Sequence, residues 1–318
     1  MKRINNIYSK ICAIDNLIEA DKKARKGKLQ SIGVRIHDRN REANILALHE
    51  ALINKTYKTS NYHTFIIHEP KEREIYQLPY YPDRIVHHAI MNILEPIWMS
   101  VFTADTYSCI KGRGIHAVVR KLKTALRDRG NTTHCLKLDI RKFYPSIDHN
   151  VLKNIIRRKI KDADLLALLD SVIDSAPGVP IGNYLSQYFA NLYLAYFDHW
   201  IKEVKGVKYY YRYADDIVIL SDSKDELHCL FSDIKQYLQN NLKLDIKANY
   251  QIFPVEARGI DFVGYRFYHT HVLLRKSIKK NFAKAVKKAG KYSRQIQSSY
   301  YGWAKHCNSK NLIKKLAA

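Results

Sequence analysis

Cysteine is scarce in this 318-residue chain: five scattered residues (Cys12, Cys109, Cys135, Cys229, Cys307) and no C-x-x-C pair. That pattern argues against both a zinc cluster and a disulfide framework. Long apolar runs are missing too, so no stretch reads as a bilayer span. The N-terminus is charged and lacks the sustained apolar core of a signal peptide, and the expectation is an intracellular, soluble protein. Repeats, low-complexity blocks and flexible linkers are also wanting, which at this length suggests two or three packed subdomains. The last deficit is acid: 30 Asp and Glu face 54 Lys and Arg, a formal charge of +24. Solubility needs far less, so the excess points to a polyanionic partner, nucleic acid above all. The 23 tyrosines add flat surfaces for base or sugar contacts, although many must serve as ordinary core or surface residues.

Against that shortage, two of the acids stand side by side in YYYRYADDIVIL, residues 209–220. Two β-prone runs flank Ala214-Asp215-Asp216, the pattern of a hairpin. Asp is common in turns for local reasons alone. Adjacent carboxylates nevertheless repel each other, and a divalent cation removes that penalty and can act on phosphates.

In chain order, apolar spacing through Ile7, Ile11, Ile14, Leu17 and Ile18 predicts a helix over 4–24, which runs into the basic stretch KKARKGK at 22–28. That stretch is either a solvated face or a contact for RNA backbone. A second helix is expected over 38–53 and a strand over 62–68. Lys71, Arg73 and Arg84 then cluster around a short hairpin, ahead of an apolar helix over 84–94. They read equally as a lysine-protected strand edge or as a grip on a triphosphate. A Gly-rich basic turn at 111–114 precedes an amphipathic helix, a weak phosphate signal on its own. Residues 134–140 alternate as a buried strand ending at Asp139, with Phe143 and Tyr144 close behind. Asp148 is placed to cap a helix reaching 160, and another helix covers 162–174. A Gly/Pro loop leads into a long apolar helix from Tyr184, with Gly206 as its terminator. Ser223 and Glu226 form a capping box for a helix to 240. Short strands are expected at 242–246, 251–255, 259–263 and 264–268. From Arg275 onward the chain reads as basic helices with Tyr292, Tyr300, Tyr301 and Trp303 interleaved, either a nucleic-acid track or a solvated amphipathic face.

If the strand ending at Asp139 neighbours the Asp215–Asp216 hairpin in one antiparallel sheet, the three carboxylates converge at its edge. Two Mg²⁺ ions held there would activate a 3′-hydroxyl and stabilise the leaving pyrophosphate. All-oxygen ligands favour Mg²⁺ or Mn²⁺ over zinc.

LDIRKFYPSI, GVPIGNYLSQ, YRYADDIVIL and FVGYRF occur in the order and approximate spacing of reverse transcriptase palm motifs. The chain therefore resembles that family from about residue 62 onward. The resemblance implies an α+β right-hand polymerase with an antiparallel palm sheet: an N-terminal helical extension over 1–60, fingers over 61–133, palm over 134–270 and a basic helical thumb over 271–318. It implies Asp139, Asp215 and Asp216 as catalytic residues, with Ile140 joining them in the metal set. Tyr144, five positions after Asp139, matches the aromatic steric gate against ribonucleotides. Lys71 and Arg73 resemble the triphosphate contacts, with Ile181, Gly182, Ser186 and Gln187 completing the nucleotide site and Val263, Gly264 and Tyr265 the primer grip. Most reverse transcriptases carry Gln before the loop Gly and Ser-Pro after it. Here the loop reads IGNYLSQ, which is similar to the enzymes of diversity-generating retroelements, as are IKANYQIFPV and YYGWAKHCNSKNL. Ile181 cannot offer the amide hydrogen bonds of Gln, which forfeits about 1 kcal/mol or more of positioning energy. That group implies adenine-directed mutagenesis of cDNA in a bacterial, archaeal or phage-infected cytoplasm. Its partners would be template RNA, an RNA–cDNA duplex, dNTPs and an oligomeric basic accessory variability protein, with no membrane. No endonuclease or RNase H pattern follows the thumb motifs, so nicking and template removal are expected of other proteins. The alternatives are a retron-like or intron-like reverse transcriptase, and a non-catalytic RNA-binding scaffold.

Overall fold

In the computed structural model, which describes residues 3–68, 72–288 and 293–317, the chain forms two compact units. Each is assembled from three stretches: Met1–Thr103, Lys142–Tyr196 and Gln239–Leu244 in the first, and Ala104–Arg141, Phe197–Leu238 and Asp245–Ala318 in the second. Lys71 and Tyr292 lie outside the described residues. The fold is α+β, and every named strand pairs antiparallel.

In the first unit, the helical period over 4–24 is split into Tyr8–Cys12 and Ile14–Ala24 by an extended Ala13 (ψ 136°). The main-chain N–H groups of Ile7 and Tyr8 donate to the Asp162 carboxylate at 2.7 and 2.9 Å, which anchors the shorter helix where it starts. The expected helix over 38–53 forms as Arg41–Ile53, and a further short helix, Ile32–Asp38, precedes it across Asn40. Ile11, Leu17 and Leu52 are buried, as are Ile85, Ala89, Ile90 and Leu94 of the helix Ile85–Met99. That helix continues past 94 despite Pro96, which removes one backbone bond, because Trp98 in its last turn is 1% exposed. Asp21 is fully buried; Arg25 and Arg41 neutralise it at 2.8 and 2.6 Å, and the Tyr80 hydroxyl donates to it at 2.5 Å. A hairpin of β1 (His63–Ile67) and β2 (Arg73–Gln77) pairs His63 with Gln77 through Ile67 with Arg73. Asp148 and Asp162 cap the helices His149–Arg157 and Ala163–Ile173 by accepting from Val151 and Leu165 N–H groups.

In the second unit, β3 (His134–Asp139), β4 (Tyr209–Tyr213), β5 (Asp216–Ser221) and β6 (Gln251–Pro254) lie in the order β4-β5-β3-β6. Period-two alternation turns Cys135, Tyr211, Val218, Leu220 and Phe253 into one core with Val118, Val119 and Leu122 of the helix Ile115–Ala125. A second sheet, β7 (Ile260–Phe262), β8 (Tyr265–Phe267) and β9 (Val272–Leu274), adds Phe262, Tyr265 and Phe267 to that core. The expected strand over 242–246 does not form. Lys243 is left-handed (φ 52°), and only Ile246 bridges, to Ile140. Strand β9, by contrast, was not expected: its three residues are too few for alternation to register, and they pair because β8 offers them an edge. The helices Lys276–Lys288, Ser293–Ala304 and Lys310–Ala317 follow, the first and last rich in lysine and the middle one with Arg294 as its one basic residue, and Phe282 is stacked on Tyr300 at 4.7 Å. Among the described residues no helix is long and apolar enough to cross a membrane.

The Asp162→Ala change strips a helix cap and leaves the Ile7 and Tyr8 N–H groups without their acceptor. Urea titration is expected to show a loss of about 2–4 kcal/mol of stability.

Candidate active site

The β4–β5 connection is a two-residue turn, Ala214-Asp215, with Ala214 in the left-handed region at φ 55°. Asp215 occupies the turn, while Asp216 is the first residue of β5 and the direct cross-strand partner of Asp139, the last residue of β3. Two further backbone bonds tie this end of the sheet: Ile140 N–H donates to the Asp215 carbonyl at 3.4 Å, and Lys247 N–H to the Asp139 carbonyl at 2.9 Å. The antiparallel register therefore brings together Asp139, the buried Ile140, Asp215 and Asp216, as the motif order led us to expect.

Like charges directly opposite each other destabilise a sheet. Burial, then the neighbouring Asp139, hold the Asp215 carboxyl above the usual carboxylate range. The Asp216 carboxyl is pushed up to about 7, first by burial and then by Asp139 and Asp215, against the opposing pull of Lys137 and Arg275. Its Oδ1 is shut off from solvent and has no hydrogen-bond partner; the ammonium of Lys137 stands 3.7 Å away. Lys247 donates to Asp139 Oδ1 at 2.6 Å. An orphaned anionic oxygen among converging carboxylates, with lysine ammoniums partly neutralising them, is a donor set suited to a hard divalent cation. Among the described residues no three ligating groups already surround one point. A metal would have to draw Asp139, Asp215 and Asp216 together and take the place of the Lys247 ammonium.

Neither lysine was singled out from the sequence. Lys137 carried a signal, since it sits two residues before Asp139 on an alternating strand and so shares its face. Lys247 carried none, being 108 residues from the carboxylate it pairs with.

The other expected residues divide between the units. In the first, Arg73 opens β2 and is exposed. The carbonyl of Ile181 accepts from Tyr76 N–H at 2.8 Å, which docks the Gly/Pro loop on β2. Gly182 is required there, because its φ is 125° and a Cβ would meet the Tyr76 carbonyl at 2.5 Å. Tyr144 is half-buried, and its carbonyl accepts from Val179 N–H at 2.9 Å, so the start of the same loop lies along the Tyr144 turn. On the first turn of the helix Tyr184–His199, Ser186 is buried and Gln187 exposed. The first unit thus brings β2, Tyr144 and the loop into one neighbourhood, while Lys71 lies outside the described residues. In the second unit, Val263 and Gly264 (φ 43° and 88°) make the β7–β8 turn. Tyr265 is fully buried and donates to the Trp303 carbonyl at 2.9 Å, a packing role; Gly264 is buried as well, and of the three only Val263 is partly exposed.

A family model described as "Reverse transcriptase (RNA-dependent DNA polymerase)" matches residues 67–267, more than half of the chain. The chain belongs to the reverse transcriptase family. Among curated relatives, protein YkfC of Escherichia coli K12 is 26% identical over 234 residues, covering 59% of this chain and 61% of that protein. The group II intron-encoded protein LtrA of Lactococcus lactis subsp. cremoris is 22% identical over 261 residues, covering 59% of this chain and 43% of that protein. The chain thus spans less than two thirds of the length of either. Candida tropicalis telomerase, solved in complex with a TWJ fragment of telomeric RNA, shares the fold with a TM-score of 0.53 at 13% identity, covering 85% of this chain and 58% of that chain. Its apo form gives 0.51 at 13% identity over 72% of this chain and 52% of that chain. Membership of the reverse transcriptase family implies a divalent metal and a nucleic-acid template.

The raised Asp216 carboxyl sets a pH dependence whose sign follows from linkage. Between about pH 4 and 7 the folded protein keeps a proton that the unfolded chain releases, so this group's contribution to stability falls as pH rises through that window. Calorimetry of the metal-free protein is expected to show the melting temperature dropping across it, and Asp216→Asn to flatten the drop. Above pH 7, Mg²⁺ raises the wild-type melting temperature and has a smaller effect on Asp216→Asn.

Proposed function

We propose that this protein is an error-prone RNA-directed DNA polymerase of the diversity-generating retroelement type. It would copy a template-repeat RNA into adenine-mutagenised cDNA, the step that drives mutagenic retrohoming into a target gene. The observation that carries the polymerase reading is the pairing of Asp139 with Asp216 beside Asp215 at one end of an antiparallel sheet. Two Mg²⁺ ions, with Mn²⁺ able to substitute, would be held by Asp139, Asp215, Asp216 and the main chain of Ile140, supplying Lewis acidity to the attacking hydroxyl and the leaving pyrophosphate. Lys247 keeps Asp139 neutralised until that happens, and Lys137 offsets Asp216. Tyr144 would exclude a ribose 2′-hydroxyl by its bulk. Lys71 and Arg73 would hold the triphosphate by fixed positive charge. Gly182, Ser186 and Gln187 would shape the nucleotide site, and the Val263–Gly264 turn, packed on the buried Tyr265, the primer grip. On this reading, residues 61–133 serve as fingers, 134–270 as palm and 271–318 as thumb, behind the helical extension of 1–60.

The retroelement assignment is supported by the loop IGNYLSQ, where Ile181 replaces an amide side chain. Without that polar contact, correct and incorrect bases differ less in binding. Template RNA, the RNA–cDNA duplex and dNTPs are the substrates of this reading, and an oligomeric basic accessory protein is its proposed partner. The similarity to LtrA favours a second reading, an intron-type reverse transcriptase of ordinary fidelity.

Primer extension on an RNA template with Mg²⁺ tests these readings. Deoxynucleotide incorporation is expected, lost on Asp215→Ala and extended to ribonucleotides by Tyr144→Ala; no synthesis on any template would favour a scaffold. Asp216→Asn is expected to retain more activity than Asp139→Asn. Sequenced products should carry errors mainly opposite adenine, reduced by Ile181→Gln. A spectrum even across the four bases would favour the intron-type reading.

A further inference from the structure

Arg212 lies within β4 and is completely buried. A guanidinium does not give up its charge, so burying one requires a full set of acceptors. Asp198, also completely buried, supplies most of them: Arg212 Nε donates to its Oδ1 at 2.7 Å and Nη2 to its Oδ2 at 2.5 Å. The same carboxylate accepts the hydroxyls of Tyr210 and Thr106 at 2.5 and 2.8 Å, which leaves it little freedom to move. The Arg212 main chain is fastened as well, its N–H donating to the Asp105 carbonyl and its carbonyl accepting from Tyr107 N–H, both at 3.0 Å.

A buried ion pair of this kind adds little stability beyond what well-packed apolar side chains would give. What sets this one apart is the bond that leaves it. Arg212 Nη1 donates to the carbonyl of Ala214 at 3.0 Å. That carbonyl belongs to the peptide joining Ala214 to Asp215, and Ala214 is the residue held at φ 55°, a conformation an L-residue adopts reluctantly. The guanidinium therefore connects a rigid buried carboxylate to the peptide plane that directs Asp215.

We propose that Arg212, anchored by Asp198, is a positioning residue that fixes the Ala214–Asp215 peptide and so aims the Asp215 carboxylate at a bound divalent metal. This rests on the polymerase reading above. Lysine at the same place keeps the charge but not the fork, and cannot hold Asp198 bidentately while also reaching the turn.

The test uses the full chain with Arg212→Lys, reading Mn²⁺ binding by electron paramagnetic resonance alongside steady-state primer extension. The expected result is Mn²⁺ affinity lower by about fivefold or more and kcat lower by about tenfold, with KM for the nucleotide moved less than about twofold. Should Arg212→Lys fail to fold, Thr106→Val loosens the Asp198 anchor near-isosterically, and the same two readouts are expected to fall by about twofold. A folded variant that binds Mn²⁺ and turns over like wild type overturns the proposal, as does a lower melting temperature with Mn²⁺ affinity unchanged. Wild type and Asp215→Ala run beside it. If wild type neither binds Mn²⁺ nor extends a primer, the polymerase reading falls and this one with it. If wild type does both and Asp215→Ala does not, only the role of Arg212 is at stake.

Discussion

Three carboxylates at one end of a sheet repel each other, and much of the second unit is arranged to hold them there. Asp139 and Asp216 face each other across β3 and β5 because the register leaves them no other position. Residues 217–220 of β5 are all buried, so a slip of one residue would misplace the side chains packed on both faces, and that packing enforces the placement of the acids at the sheet's end. The lysines at 137 and 247 lower the repulsion without abolishing it, and the Asp216 carboxyl is left titrating near neutrality. On the proposed polymerase reading, a metal site stable when empty and receptive when needed would be well served by such an intermediate state. The ammonium on Asp139 is a single point charge on a flexible stem, which a metal ion would displace more readily than a buried arginine's fork.

The first unit meets a different demand, which is to hold a loop rather than a charge. Its Gly/Pro segment is secured through main-chain atoms: Val179 on the Tyr144 carbonyl and Ile181 on Tyr76 N–H. The main-chain bond at Ile181 does not depend on the side chain it carries, whereas Val179 and Asn183 are buried and the Asn183 amide donates to the Tyr62 hydroxyl at 2.9 Å. Ile at 181 is therefore compatible with this anchor. Gly182 has no such latitude, since its conformation and the nearness of the Tyr76 carbonyl both exclude a side chain.

Long, strongly patterned elements were legible without coordinates. The helix from Tyr184, the hairpin at 209–220, the cap at Asp148 and the end of β3 at Asp139 all carry local signals: apolar period, turn residues or a capping side chain. The departures came where a distant group overrode a local preference. Apolar spacing runs unbroken through Ala13, yet the helix breaks there, next to a shorter helix tied at its start to Asp162. Residues 242–246 have strand-like composition, but the left-handed Lys243 ends the preceding helix and a single bridge is all that forms.

By itself the sequence determined the identity of the acids, their place at strand end and turn, and the basic character that suits a nucleic-acid partner, because each is a matter of residue type and short-range period. The tertiary structure alone decided what surrounds those acids. Lys247 reaches Asp139 from 108 residues away, and Asp198 holds Arg212 from the helix that precedes β4. Such pairings depend on which elements become neighbours. That is settled by burying apolar faces over the whole chain, and no local pattern encodes which cation will then stand beside which carboxylate.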